Sequence, residues 1–208
     1  AFVAETIMGG LVGDVPPTKN YWKKIKNLCD KYNIHIICDE IWCGAGTTGK
    51  NFSIDWDNIT PDFVTFGKTL TSGYVPLSII ITKKKYLHEI KNKFGAILLP
   101  SSTYQGHSLG VVAAIASQQI VNNKKFLSNV CKNGEYLRET LNSELKKSEF
   151  FSNIRGRGMR NSLEYHTENN NIFSKRLKDH ALKVHNLILN AQWHRTCFAP
   201  AMNIKKMI

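Results

Sequence analysis

The chain has 208 residues, 42% hydrophobic and 21% charged, and 28 Lys+Arg against 16 Asp+Glu give a net charge of +12. With 14 Gly, 6 Pro and no low-complexity run, wholesale disorder is excluded, and apolar stretches such as residues 109–116 fall far short of the ~20 residues a membrane span needs. The basic balance raises an anionic partner, but Lys23, Lys24, Lys26, Lys83–Lys85, Lys91, Lys93, Lys146 and Lys147 interleave with Ile, Leu and Asn and accompany no nucleic-acid-binding motif, so neither nucleic acid nor membrane is expected as a partner.

Residues 1–6 (AFVAET) predict a short buried strand with Glu5 near its end. Gly9, Gly10, Gly13, Pro16 and Pro17 mark a loop. Thr18 is placed to cap a helix running to about Tyr32, with Tyr21, Trp22, Ile25, Leu28 and Cys29 at helical spacing. Residues 34–38 (IHIIC) form an apolar run that stops at Asp39-Glu40, and its continuity predicts burial on both faces, as in a parallel sheet. A Gly/Thr-rich loop covers 44–50. Pro61-Asp62 then leads into a strand at 63–66, broken by Gly67 and Lys68, and a third strand is expected at 74–82. A loop at 100–106 precedes a small-residue helix at 108–121, suited to close packing against a neighbour. Residues 124–147 read as a long amphipathic helix with Phe126, Val130, Leu137, Leu141 and Leu145 on one face.

From Phe150 the character changes. Residues 154–158 (IRGRG) run into 159–165 with period-2 features, and a helix follows at about 174–189. A boundary near 121–123 divides the chain into 1–121 and 122–208. Strands alternating with helices predict an α/β architecture with ligands at the carboxyl ends of the strands. The five cysteines, Cys29, Cys38, Cys43, Cys131 and Cys197, are odd in number and contain no CxxC pair. They are expected as core residues in a reducing compartment, with neither a disulfide framework nor a metal. The opening Ala-Phe-Val-Ala-Glu carries no initiating Met and no leader pattern, so a soluble, cytoplasmic chain belonging to a longer protein is expected.

Two residues at strand ends carry chemistry. Asp39 terminates one apolar strand, and Lys68 follows another in Phe63-Val64-Thr65-Phe66-Gly67-Lys68. A pyridoxal phosphate site needs such a pair: an amine to condense with the aldehyde, and a carboxylate to keep the pyridine nitrogen protonated. The spacing alone equally suits a strand-end Asp and a solvated loop Lys.

Asp39-Glu40-Ile41, Gly44, Gly46, Thr48-Gly49, Pro61-Asp62, Gly67-Lys68 and Gly73 together resemble the signature of the class III (ω-amino-acid) aminotransferases. This is a fold type I family dependent on pyridoxal 5'-phosphate. Glu5 with its Gly loop and Pro16-Pro17, Thr103-Tyr104-x-Gly106-His107, and Arg155-Gly156-Arg157-Gly158-Met159 with Glu164 extend the resemblance to about residue 166. It implies part of a large cofactor-binding domain over 1–121, a mostly parallel sheet with flanking helices, and an incomplete α+β small domain over 122–208. Lys68 would form the Schiff base and shuttle the proton, Asp39 would pair with the pyridinium nitrogen, and Ile41 would pack on the ring. Thr103 would donate to the cofactor phosphate in the partner subunit's site, which makes a homodimer part of the chemistry. Glu5 would stand near the substrate end.

The departures are specific. Thr47 stands where the family usually has Arg, Ser101-Ser102 precede Thr103, and Trp42 replaces a Gln of the ornithine and γ-aminobutyrate enzymes. Cys197 stands where an Arg precedes Phe-Ala-Pro, leaving Arg195, two residues earlier on the same strand face, as a candidate for a substrate carboxylate. The stretch near 190–193 looks shortened. The family chain is roughly twice as long, and its N-terminal half, with the phosphate cradle, has no counterpart here. The activity implied is transfer of an amino group from an ω-amino acid or amine to pyruvate or another 2-oxo acid. The alternatives are an aminomutase or racemase of the same fold, or a catalytically silent homologue acting as an interaction module.

Overall fold

The structure, a computed structural model, describes residues 1–95 and 103–204. Three short β-branched and aromatic segments, β1 (Phe2–Glu5), β2 (Ile36–Asp39) and β3 (Phe63–Phe66), run parallel in that order, and β4 (Ile79–Thr82) closes the edge antiparallel to β3. Helix α1 (Tyr21–Lys31) makes the crossover from β1 to β2. Its Trp22 and Cys29 enter the core with Ile36, Cys38, Val64, Phe66 and Leu70, and Phe2 meets Trp22 edge-on at 6.1 Å. The parallel register sets Glu5 beside Asp39 and Asp39 beside Thr65, so the carboxyl ends of three strands finish level.

Several boundaries differ from expectation. Thr18 does not cap α1: Asn20 holds that place in a left-handed conformation (φ 66), and Thr18 contributes only its backbone carbonyl, which accepts from the Tyr21 N–H at 3.0 Å. Tyr21 and Leu28 are exposed, because only the Trp22 edge of the apolar stripe reaches the sheet. In β2, Ile36 and Cys38 are buried while Ile37 is half-buried, so one face is less covered than its apolarity suggested. The expected strand at 74–82 shrinks to β4, since Pro76 has no N–H for a ladder and Thr71 Oγ1 donates to the Val75 carbonyl at 2.6 Å. Helix α2 (Lys84–Phe94) lies in a stretch with no expected helix; four lysines blur its stripe, and Tyr86 is its one buried residue.

Helix α3 (Ser108–Val121) packs back on the turn after β3, and α4 (Lys124–Leu145) lies against a second sheet. That sheet is antiparallel throughout, in the order β5 (Phe151–Arg157), β6 (Arg160–Tyr165), β8 (Arg195–Phe198), β7 (Asn190–Gln192). The expected period-2 alternation fails in β6: Arg160, Asn161 and Ser162 are all buried, because this strand is covered on both faces. Helix α5 (Asn170–His185) starts four residues earlier than expected, where the Asn169 side chain accepts from the Ile172 N–H, and ends at Asn186 in a left-handed cap (φ 50). The segment that looked shortened closes as a hairpin, Trp193 and His194 turning β7 into β8 with Trp193 at φ 50. Among the described residues no helix is long and apolar enough to cross a membrane.

Candidate active site

The level strand ends of the first sheet build the site. Asp39 Oδ1 accepts from the Ile41 N–H at 3.0 Å and from Thr65 Oγ1 at 3.3 Å. Its other oxygen has no hydrogen-bond partner among the described residues. Glu5, one strand away, accepts the Gly9 N–H on Oε2 at 2.9 Å and so fixes the start of the following loop. Beyond β3 the chain passes through extended Gly67 into Lys68, which heads a short 3-10 turn (Lys68–Thr71) at φ 45. A left-handed lysine costs energy and persists only where its surroundings hold it. Leu70 is buried on one side, and α3 ties the turn on the other through Ser117 Oγ with Ser72 Oγ (2.7 Å) and Gln118 Nε2 to the Leu70 carbonyl (3.3 Å). The lysine side chain itself is exposed.

Ile41 and Trp42 wall this lysine. A Cβ built on Gly67 would touch Ile41 Cδ1 at 3.3 Å, so Ile41 lies against the backbone that leads into Lys68. Lys68 Nζ stands 5.6 Å from the centre of the Trp42 ring. Trp42 Nε1 donates to Asp14 Oδ1 at 2.8 Å, and Gly9 is required beneath the ring, since a Cβ there would come within 1.9 Å of Trp42 Cδ1. Arg160 covers another side of the same indole, its Cζ 3.6 Å from the ring centre and its Nε 3.5 Å from Asp14 Oδ1. Burial lowers the pKa of Arg160, and the Asp14 charge opposes that. Ser162 Oγ donates to Asp14 Oδ2 at 2.8 Å.

A cavity of about 790 Å³ opens over Lys68, lined among others by Thr47, Ser72, Met159, Arg160 and Ala199. Thr47, where the resemblance expects Arg, turns its hydroxyl back onto the Cys43 and Gly44 carbonyls (2.8 and 3.0 Å), and its own carbonyl accepts the Met159 N–H at 2.9 Å. Arg195 is buried and donates from Nη2 to the Gly10 carbonyl at 2.5 Å, while Cys197 Sγ receives Ser162 Oγ at 3.3 Å. Thr103 is exposed in the turn before α3, and Ser101-Ser102 lie outside the described residues. Thus Asp39, Ile41, Trp42 and Lys68 come together with Glu5 at one edge, whereas Thr103 and Arg195 stand apart from the lysine.

Sequence reasoning missed three participants. Asp14 and Arg160 carry no motif; the one signal is an Arg heading an otherwise uncharged stretch of strand. Glu40 was legible only as the second acid of the pair. It is buried and accepts the Ser53 N–H (2.7 Å), the Ile54 N–H (2.8 Å) and Thr6 Oγ1 (3.4 Å), pinning the loop that carries Ile41 and Trp42. Burial pushes its carboxyl up to about 7, against those hydrogen bonds.

The donor set fits part of pyridoxal phosphate: an acid with a spare oxygen for the ring nitrogen, an unpaired amine for the aldehyde, and an apolar side chain beside it. The family described as "Aminotransferase class-III" matches residues 1–206. The diaminobutyrate--2-oxoglutarate transaminase of Halomonas elongata is 34% identical over 168 residues, covering 79% of this chain and 35% of that protein. The taurine--pyruvate aminotransferase of Bilophila wadsworthia is 36% identical over 157 residues, covering 74% and 34%. Among solved structures, the ornithine aminotransferase of Toxoplasma gondii, described with partial occupancy of PLP at its active site, superposes with a TM-score of 0.86 at 26% identity over 99% of this chain and 47% of that one. The chain therefore spans about a third of the length of these curated relatives and about half of that solved structure. The superposition makes the first sheet and its helices part of a fold type I transaminase, as expected. With a family match over residues 1–206, the chain belongs to the class-III aminotransferases.

Proposed function

We propose that the protein is a pyridoxal-phosphate-dependent aminotransferase that moves an amino group from an ω-amino acid or amine to pyruvate or another 2-oxo acid. The observation that carries this reading is the pairing of a left-handed, exposed Lys68 with Asp39 at adjacent carboxyl ends of parallel strands. When bound, the cofactor supplies an aldehyde that condenses with amines and a pyridinium ring that accepts electron density.

Lys68 would hold the cofactor through its Nζ, and the same Nζ is the group that would move the proton at the substrate carbon. Asp39, oriented by Ile41 N–H and Thr65 Oγ1, holds the ring nitrogen protonated through its spare oxygen. Ile41 packs on the ring face and excludes water. Glu5 and Trp42 frame the substrate end, while Arg195 is held on the Gly10 carbonyl away from it. Thr103 reaches the cofactor phosphate of a second copy, so the working unit is a homodimer; the exposed Leu109, Val112, Ile115 and Ile120 on α3 support a covered face there. Division into 1–121 and 122–208 and a cytoplasmic setting belong to the same reading, the latter supported by five unpaired thiols.

The test is an absorbance spectrum with added pyridoxal phosphate, wild type beside Lys68→Ala. A band near the visible edge in the wild type alone, discharged by an amine donor, is the expected outcome. Its absence from both proteins would refute the reading.

A further inference from the structure

We propose that Ser117 and Gln118 of α3 are positioning residues for Lys68, which with Ser72 lock the turn that presents the lysine amine to the cavity, an inference that rests on the aminotransferase reading above. Residues 68–72 contain two left-handed positions that are not glycine, Lys68 at φ 45 and Ser72 at φ 52. Each is strained, and such strain persists only where the surroundings over-determine it. The turn's own backbone gives the Leu70 N–H to the Gly67 carbonyl (3.0 Å), the Ser72 N–H to the Thr69 carbonyl (2.9 Å) and the Tyr74 N–H to the Thr71 carbonyl (3.2 Å). Bonds of this three-residue span have poor geometry and are weak support for two strained residues.

Two consecutive residues of α3 add side-chain holds from outside the turn. Ser117 Oγ shares a hydrogen bond with Ser72 Oγ at 2.7 Å and so grips the second strained residue, while Gln118 Nε2 donates to the Leu70 carbonyl at 3.3 Å and grips the centre. Ser117 is 8% exposed, and it lines with Ser72 the same cavity as Lys68. The helix that carries these holds is itself fixed on either side of them. A Cβ built on Gly110 would touch Leu77 Cδ1 at 3.5 Å and Val75 Cγ1 at 3.7 Å, and one built on Gly46 would fall 2.2 Å from Val121 Cγ1.

The two reacting ends of the site are therefore held by different means. Asp39 closes a strand and is fixed by the ladder on both sides of β2. Lys68 lies beyond the ladder, its side chain is exposed, and the direction of its Cα–Cβ bond follows from the left-handed backbone. Relaxation of Lys68 to a negative φ would redirect that bond, and a misplacement of about 1 Å can cost a reaction about 10²-fold. Loss of the α3 holds is thus expected to slow the chemistry of the amine while leaving the Asp39 end in place.

The experiment makes two measurements on Ser117→Ala, Ser72→Ala, their double variant, Gln118→Met and the outward-facing control Gln119→Met. Ala and Met are strong helix formers, so α3 is retained in each, which circular dichroism checks. Hydrogen exchange over residues 67–75 is expected to accelerate at least tenfold in the first four proteins and not in the control. The rate at which the Schiff-base absorbance band rises after mixing with pyridoxal phosphate is expected to fall at least tenfold in the same four. Because Ser72 and Ser117 share one hydrogen bond, the double variant should be no more than twofold slower than the slower single variant. A band that rises in Ser117→Ala and Gln118→Met within twofold of the wild-type rate overturns the assignment, even where exchange has accelerated, since the holds are then merely structural. Rate losses that multiply in the double variant overturn it as well. Absence of the band from the wild type strikes the aminotransferase reading instead, and exchange then decides the lock alone: acceleration confined to 67–75 upholds it and unchanged exchange overturns it.

Discussion

Glu40 shows how much a single residue next to the chemistry decides. It follows Asp39 directly and points the other way, into the core, where it gathers two backbone N–H groups and a threonine hydroxyl. Burial is the dominant influence on its carboxyl and pushes it up from about 4.5 to about 7. A carboxyl more easily protonated in the folded protein than in the unfolded chain stabilises the fold fully below pH 4.5 and loses that contribution as pH rises through 7. At one pKa unit per about 1.4 kcal/mol the swing is on the order of 3 kcal/mol. Urea unfolding between pH 5 and pH 8 is expected to show this decline in the wild type and not in Glu40→Gln, which has no proton to lose. Equal slopes in the two proteins would remove Glu40 as the cause. Asp39, Lys68 and Ile41 were legible because the chemistry demands those residue types at strand ends. Glu40, Asp14 and Arg160 were not, because a residue that pairs across the fold leaves no local pattern. Ile41 and Trp42 depend on the loop that Glu40 pins, so its stability effect reaches the site.

At the scale of elements, contact between backbones matters more than side-chain periodicity. The amphipathic stripe of α4 was readable, and Val130 is its buried centre with Phe126, Leu137, Leu141 and Leu145 half-buried beside it. Nothing in that stripe announces Gly134. A Cβ there would fall 1.8 Å from the Gly158 carbonyl oxygen, and Gly158, at φ 54, is itself held 2.5 Å (as an added Cβ) from the Thr48 backbone. Neither neighbour is the movable end of a side chain. In an exposed helix interior Gly→Ala gains up to about 1 kcal/mol; here overpacking reverses the sign and Gly134→Ala is expected to cost about 1–3 kcal/mol. Thermal unfolding decides between the two signs, a raised midpoint being incompatible with this packing. The same logic explains the misread boundaries. The strand at 74–82 was cut by Pro76, and the alternation expected across β6 vanished because its head is packed on both sides. Periodicity reports which face is apolar, and it cannot report how many neighbours a segment will have.

At the scale of the molecule, the two sheets are joined through the loop that follows β1. Arg155 in β5 donates from Nε to the Gly13 carbonyl (2.9 Å) and from Nη2 to the Val12 carbonyl (2.7 Å). Asp14, fully buried, ties Trp42 from the first sheet to Ser162 and Arg160 of the second. The order of elements along the chain was legible, since each strand, turn and helix is local. This joint was not, because residues more than a hundred positions apart make it and the loop's glycines read only as flexibility. Removing Asp14 from the joint leaves the buried Arg160 guanidinium without its ion-pair partner, which costs far more than loss of an exposed pair. Asp14→Ala is accordingly expected to destabilise the protein by about 3–5 kcal/mol. Asp30→Ala, which breaks the exposed Lys26–Asp30 pair on α1, should cost less than about 1 kcal/mol. Urea unfolding of both variants beside the wild type makes the comparison. If the two losses are equal, Asp14 does not hold the sheets together, and the grip of Trp42 and Arg160 over Lys68 must be set by the backbone contacts of Arg155 and Met159 instead.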